Sequence, residues 1–565
     1  MSVIERIRFG NGVVSVNVSD LRALKDNLVI ETDLCIVGSG PAGLSIAKEF
    51  VGTNVKVVIL ESGGKSEEPE TQALYEIENI GAPRQLNQDV IRSRILGGSS
   101  HIWTGRVAPF DELDFKERSW VPYSGWSISR RSLDPYLVRG GENLGIGPHC
   151  YDERLWERFR VNRPASLNTS KVQPVFWQFS KHVTNRHEPM RFGQDFMPEG
   201  APNIQLILHA NVTHLNTNQA GTKLESVEVS TLEGKKACVK ARAIVLACGG
   251  VENARLMLAS NRIVPHGVGN QNDLVGRFLM DHPGCVLGSF DPDSAQEVRN
   301  RFGHYWLDDA KGRHVYLHGI ALSHKLQEKE QLLNCAAYLE TVTSEDDAWN
   351  TLKDLKTRLK EGKISLKSYQ TALNVLTRSP EIGHGLYRRY MKHRPTINKA
   401  EKVELFCHVE QRPDPDSRVM LSDKVDRLGM PISKLNWKIS EQERQSVRRL
   451  AHLICDEFDR LGLPKPTLSA WLDQKEGWES NFSDRAHPTG TTRMSDDPTQ
   501  GVVDSNCQVH GVEGLFIAGS SVFPTAGYAN PTLMIVGMSL RLADWLKFNY
   551  LPRAQRAIKL EQSVV

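Results

Sequence analysis

The chain is predicted to be an α/β protein, α+β overall, in which a nucleotide-type domain is assembled from discontinuous segments. A second domain with an antiparallel sheet and helices completes it. Three observations predict this. A strand, a glycine-rich turn and a helix follow one another from 33 to 50. Apolar strands ending in small residues recur near 243–250 and 514–521. The stretches between them alternate apolar and polar residues instead.

Each element has a local reason. Residues 33–38, DLCIVG, read as a buried strand, 41–50, PAGLSIAKEF, as a helix, and 56–61, KVVILE, as a second strand, which makes a βαβ unit. Residues 235–250, KKACVKARAIVLACGG, read as strand–turn–strand before a helix in VENARLMLAS, and 514–521, GLFIAGSS, as a further strand. The first domain is therefore expected over 1–115, 195–285 and 480–555. The second is expected over 116–194 and 286–479, where RVMLSD and HVYLHGIALSHKL suit antiparallel strands covering a substrate. Residues 345–400 are helical and basic: a solvated insert, or a lid or docking surface for a redox partner.

At 565 residues the chain is too long for one simple core. Lys+Arg 70 against Asp+Glu 67 leaves a formal charge of +3, which gives no electrostatic case for nucleic acid. Nine cysteines in no regular spacing argue against a disulfide framework, and Cys35, Cys238 and Cys248 sit in apolar runs as small hydrophobes. The N-terminus lacks the apolar run of a secretory signal. Leu533 to Leu546, the best candidate for a membrane span, is interrupted by Arg541 and Asp544. A cytoplasmic protein without a membrane span is expected.

Gly38-Ser39-Gly40-Pro41-Ala42-Gly43 is a G-x-G-x-x-G between strand and helix. Gly38 permits the turn, Gly40 lets backbone approach a pyrophosphate, and Gly43 lets helix pack on strand. The helix N-terminus offers unpaired N–H groups to phosphate. Glu61 ends the next strand 18 residues after Gly43, where its carboxylate suits a ribose hydroxyl. Ser62 and two more glycines follow it, and a second cluster, Gly97-Gly98-Ser99, lies too far along for a nicotinamide phosphate loop. It suits an isoalloxazine and its ribityl chain, so FAD is favoured over NAD.

Seven stretches in order, CIVGSGPAGL (35–44), VILESGG (58–64), RILGGSSHIW (94–103), AIVLACGGVENARLML (243–258), VGRFLMDHPG (275–284), HPTGTTRM (487–494) and GYANPTLMIVG (527–537), resemble the glucose–methanol–choline (GMC) oxidoreductase family. The likeness is greatest to its bacterial sugar-dehydrogenase and pyranose-oxidase-like branch, which uses a His/Asn pair. The resemblance implies a Rossmann-like FAD-binding domain and oxidation of an alcohol CH–OH to a carbonyl, with hydride passing to flavin N5. It makes His487 the general base and Asn530 its partner, which would hold the alcohol oxygen. Asn530 is also a candidate N-cap for the last helix, with Pro531 at the first helical position. Asp281 and His282 sit in a family hallmark read here as structural.

The cofactor contacts expected are Gly38, Gly40, Pro41, Ala42, Gly43, Glu61, Ser62, Gly97, Gly98, Ser99, His101, Trp103, Val212, Ala247, Gly519, Ser520, Pro531 and Thr532, with no metal. Some family members bond FAD covalently through a histidine at a slot that is Ile102 here. An extended 99–102 would turn the neighbouring His101 away from the flavin, so non-covalent FAD is expected. A sugar, glycoside or related polyol is the expected substrate, and oxygen, a quinone or a redox protein the electron acceptor. The competing readings are a nicotinamide-dependent dehydrogenase or reductase, and an FAD-binding scaffold without activity.

Overall fold

The computed structural model describes residues 7–9, 12–14, 17–84, 88–182, 185, 188–195, 201–344 and 379–554. Two eight-stranded sheets organise them. The first runs Asn211–Thr217, Leu224–Ser230, Lys236–Leu246, Leu28–Val37, Val57–Leu60, Ile204–Leu208, Asn17–Asp20, with Leu515–Ile517 beside Lys236–Leu246. Its centre is parallel and buried on both faces, which is why Val57–Leu60 is apolar at every position.

Lys236–Leu246 is one continuous strand, not the strand–turn–strand expected. It pairs with Leu28–Val37 along its length, while its other edge meets Leu224–Ser230 first and Leu515–Ile517 last. The polar interruption Lys240-Ala241-Arg242 marks the change of partner on that edge. In the sequence this change looks like a turn.

The second sheet is antiparallel: Thr467–Leu468, Gly284–Phe290, Ala400–Val409, Cys335–Thr343, Gly312–Leu322, Val172–Phe179, Arg106–Val107, with His304–Asp309 on Gly312–Leu322. Helix Glu441–Arg460 opens on a Ser440/Glu443 capping box and carries Val447, Leu450, Ala451, Ile454 and Phe458 on one stripe. That stripe shares a core with Cys335, Ala337, Cys407 and Val409. Alternation then sends Ala336, Tyr338 and Phe406 into the core shared with the first sheet. The cavity described below lies on that side.

RVMLSD forms an antiparallel strand, in a separate small sheet. Arg418–Val425 pairs with Pro431–Asn436, which pairs in turn with Ile77–Asn79, and this small sheet packs on helix Glu252–Ala259. In HVYLHGIALSHKL the strand ends at Leu322 and a helix begins at His324. Residues 345–378 of the basic insert lie outside the described residues, and Ser379–Tyr390 is helical. No helix among the described residues is long and apolar enough to cross a membrane.

Candidate functional site

A cavity of about 520 Å³ runs between the sheets, within the size range of ligand sites. One end is made of backbone. Gly40 caps helix Pro41–Lys48 with no side-chain hydrogen bond, which leaves that helix's first N–H groups facing the cavity. A Cβ on Gly40 or Gly519 would meet no protein atom within 4 Å and would project into the space instead. At Gly38 (φ +104°) a Cβ would lie 2.6 Å from the Ala247 carbonyl oxygen. The two glycine clusters touch. The Gly97 N–H donates to the Ser39 carbonyl at 3.2 Å, and a Cβ on Gly98 would lie 3.1 Å from Gly40 Cα.

Glu61 sits beneath this cradle. Its Oε2 accepts from Ser39 N at 3.0 Å and Ser39 Oγ at 2.6 Å, and its Oε1 from Gly63 N at 2.8 Å. The carboxylate therefore shapes the turn and also lines the cavity. Beside it Glu252 takes Arg92, Arg94 and Arg255, and the first two flank the Tyr75 ring at 4.2 and 4.3 Å. The sequence offered no pattern for this group. The uncapped helix, the glycines a Cβ would block and the carboxylate at the strand end fit a dinucleotide.

At the other end His487 Nε2 and Asn530 Nδ2 stand 3.4 Å apart, the long end of hydrogen-bonding range. Asn530 does not cap the last helix: Pro531 is the N-cap of Thr532–Trp545, and Asn530 Oδ1 is buried without a partner. An Asn530 N–H can reach Nε2 only as a donor to its single lone pair, so Nε2 is the unprotonated, accepting nitrogen of the ring, the one that a substrate hydroxyl would meet. Burial first, then the neighbouring His282, pushes the His487 imidazole down to about 3, so it is neutral throughout the physiological range.

The His487 segment is gripped from below. Fully buried Asp281 accepts from the N–H groups of His282 (2.8 Å), Arg485 (3.0 Å) and His487 (3.1 Å). These bonds bracket Ala486, which adopts φ +59°, a left-handed conformation costly for alanine. Arg84 pairs with Asp281 at 2.8 Å and with Asp484 at 3.2 Å. His282 donates to the Ala526 carbonyl at 3.0 Å and sets its ring 5.0 Å from that of His487. It thus ties this segment to the loop that carries Asn530. Asp281, His282 and His487 are close enough to suggest a metal site. The carboxylate is already saturated by Arg84 and three N–H donors, and the geometry favours a structural clamp.

Of the residues expected from sequence, Gly38, Gly40, Pro41, Ala42, Glu61, Ser62, Gly98, Ser99, Trp103, Val212, Ala247, Gly519, Ser520, Pro531 and Thr532 line the cavity with His487 and Asn530. Gly43, Gly97 and His101 do not. A Cβ on Gly43 would strike the Gly38 carbonyl at 2.0 Å and one on Gly97 the Gly193 nitrogen at 2.4 Å, so both serve packing. Gly98–His101 is a 3-10 turn, not the extended segment expected, because left-handed Gly97 and Gly98 curl the chain. His101 turns its Nε2 to the Leu96 carbonyl at 2.8 Å.

Many lining residues escaped the sequence reading, and five of them form the wall near His487: Arg106, Tyr338, Glu340, His408 and Arg485. Tyr338 and Glu340 share a strand face, and His408 stands on the neighbouring strand, opposite Ala336 of that face. The alternation was visible, but the face turned to the cavity was not.

Residues 194–284 and 413–539 match the two family models described as GMC oxidoreductase. The chain is 26% identical to the fructose dehydrogenase large subunit of Gluconobacter japonicus, over 92% of this chain and 98% of that one. It is 24% identical to the 2-methyl-1,2-propanediol dehydrogenase of Mycolicibacterium austroafricanum, over 91% and 95%. Its fold is similar to that of a crystalline formate oxidase, with TM-score 0.55 and 18% identity over 94% of this chain and 100% of that one.

Proposed function

The chain belongs to the GMC oxidoreductase family, an FAD-dependent family of alcohol-oxidising enzymes, and from that premise we propose that it oxidises a sugar or related polyol with His487 as base. When bound, FAD supplies the acceptor for the hydride leaving the alcohol carbon. The residues of the chain do the rest. His487 Nε2 takes the hydroxyl proton, and the Asn530 amide orients the alcohol oxygen. Asp281 holds the His487 segment in register, and the N-terminus of Thr532–Trp545 faces the cavity with no side-chain cap, a favourable place for negative charge.

The observation that carries this reading is the convergence of His487 and Asn530 on one cavity with the glycine cradle. The relatives named for a sugar and a 1,2-diol support a polyol. His101 lies off the cavity wall, which supports non-covalent FAD, and nine free cysteines support a reducing, cytoplasmic setting. Acid denaturation and centrifugation test the first: free FAD is expected in the supernatant, whereas a yellow pellet with flavin on a His101 peptide refutes it. The function is tested by anaerobic titration of the purified protein with sugars and polyols. Bleaching of the flavin band near ~450 nm is expected. A flavin-loaded protein that no alcohol bleaches would be an inactive scaffold, and one without flavin would favour a nicotinamide enzyme.

A further inference from the structure

Resting on the alcohol-oxidising reading above, we propose that Arg106 and Glu340 form a clamp for a second hydroxyl, which makes the preferred substrate a vicinal diol. Both residues are organised by Tyr338. The Arg106 guanidinium stacks on the Tyr338 ring at 4.2 Å, and its buried Nε has no hydrogen-bond partner. The Tyr338 hydroxyl, which Arg106 also reaches, donates to Glu340 Oε1 at 3.1 Å. His408 Nε2 lies 3.2 Å from that hydroxyl, and burial, with Arg485 and Arg106 nearby, keeps His408 neutral. The Tyr338 hydroxyl donates to Glu340, and in the tautomer with its proton on Nε2 His408 donates to the same oxygen.

What remains for a ligand is complementary. Glu340 Oε1 is shared by Tyr338 and, at 3.9 Å, by Arg485. Glu340 Oε2 makes no hydrogen bond among the described residues, and as a carboxylate oxygen it can only accept. Arg106 can only donate, and no carboxylate of the described residues pairs with it. A hydroxyl both donates and accepts, so one placed here satisfies Glu340 and Arg106 together. An anionic group would satisfy Arg106 and meet repulsion from Glu340. An apolar group would displace water from Glu340 Oε2 and from the remaining Arg106 donors without replacing its hydrogen bonds, which is unfavourable.

Position completes the argument. Arg485 is two residues from His487, and all five wall residues line the cavity that holds the His487–Asn530 pair. The pair engages the hydroxyl being oxidised, and the clamp engages its neighbour. Tyr338 is buried while Glu340 and Arg485 are 39% and 30% exposed, so the wall grades from dry to wet towards the mouth. A polyol would keep its remaining hydroxyls in that wet portion.

The test compares cis-1,2-cyclohexanediol with cyclohexanol on the FAD-loaded enzyme. Two quantities are read: Kd from perturbation of the oxidised flavin spectrum, and kcat/KM. The parent is expected to prefer the diol by about tenfold or more in both, the scale of hydrogen bonds to charged groups. Glu340→Gln and Arg106→Met should each lower that preference about tenfold, and Arg106→Lys should recover part of it. Equal Kd for the two alcohols in the parent overturns the clamp. So does a variant that weakens both alcohols by the same factor, since a merely structural role would do that. If neither alcohol bleaches the flavin, the alcohol-oxidising reading suffers, and the ratio of the two Kd values still decides the clamp.

Discussion

The proposed cofactor cradle and the proposed substrate wall line one cavity, yet they are built in opposite ways. The cradle is backbone: glycines without a Cβ, uncapped N–H groups at the start of Pro41–Lys48, and a single carboxylate, Glu61, that ties the turn together. The wall is side chains borrowed from distant strands: Arg106, Tyr338 and Glu340, His408, and the loop residues Arg485 and His487. A backbone site needs particular residue types close together in the chain. A side-chain site needs only that folding turn the right face of each strand inward.

If that contrast is right, truncation should harm the wall most and adding atoms should harm the cradle most. The largest effect is expected at His487. His487→Ala should slow flavin reduction by about 10²–10⁴-fold, the loss of a general base, while FAD content stays at the parent level. Stopped-flow reduction alongside the flavin-to-protein absorbance ratio measures both. A parent-like rate would move the base elsewhere.

Next comes Gly38→Ala, a single added methyl. At φ +104°, with the Ala247 oxygen 2.6 Å from the new Cβ, strain and crowding should cost about 2–4 kcal/mol. Weakened FAD retention on gel filtration and a lowered Tm are the readouts. Full retention would break the contrast, because the cradle would then tolerate a side chain.

Glu61 sharpens it. Glu61→Ala should weaken FAD binding by up to about 1.5–3 kcal/mol, with Glu61→Gln milder because its one amide oxygen still accepts from Ser39 or Gly63, though not from both. Titration of the apoprotein with FAD separates the two. Equal losses would place the effect in a direct charge-assisted contact with ribose. Asn530→Ala should be milder still, roughly tenfold in flavin reduction, because orientation is lost and no proton acceptor is removed.

The smallest effect per group is the response to pH. His487, held down to about 3 by its burial and by His282, is already neutral, so flavin reduction should not fall through 6.5 as pH is lowered from about 9 to about 5. A limb near the ordinary histidine value would contradict the burial of that ring. Stability should behave differently. Burial lowers His282, His304, His318, His408 and His487, all in or beside the substrate half, so below 6.5 only their unfolded forms take up a proton. Each removes stability as pH falls, by up to about 1.4 kcal/mol per pH unit. Asp114 and Glu443, pushed up to about 7 by burial, oppose the trend in part. Tm recorded from about pH 7 to about pH 5 is expected to decline.

The same contrast governs how much could be read from sequence. Gly38-Ser39-Gly40, Glu61 and the Gly97-Gly98-Ser99 cluster are local, and each needs a residue type that a given φ or a close approach dictates. His487 and Asn530 stood out through the resemblance their motifs carry. Two misreadings have different causes. The Lys236–Leu246 strand looked broken because its edge changes partner, and those partners lie tens to hundreds of residues away. His101 was read on an extended segment that adjacent left-handed Gly97 and Gly98 turn into a 3-10 turn.

The sequence by itself determined the βαβ unit, the glycine turns and the carboxylate at the strand end, because short-range sterics and hydrogen bonding leave few alternatives there. Only the tertiary structure decided that Asp281 and Arg84 would hold the His487 segment. It alone brought Arg106 and Glu340 together around one tyrosine. Strand register sets which face of Cys335–Thr343 and Ala400–Val409 looks inward, and register is fixed by pairing and packing across the whole sheet.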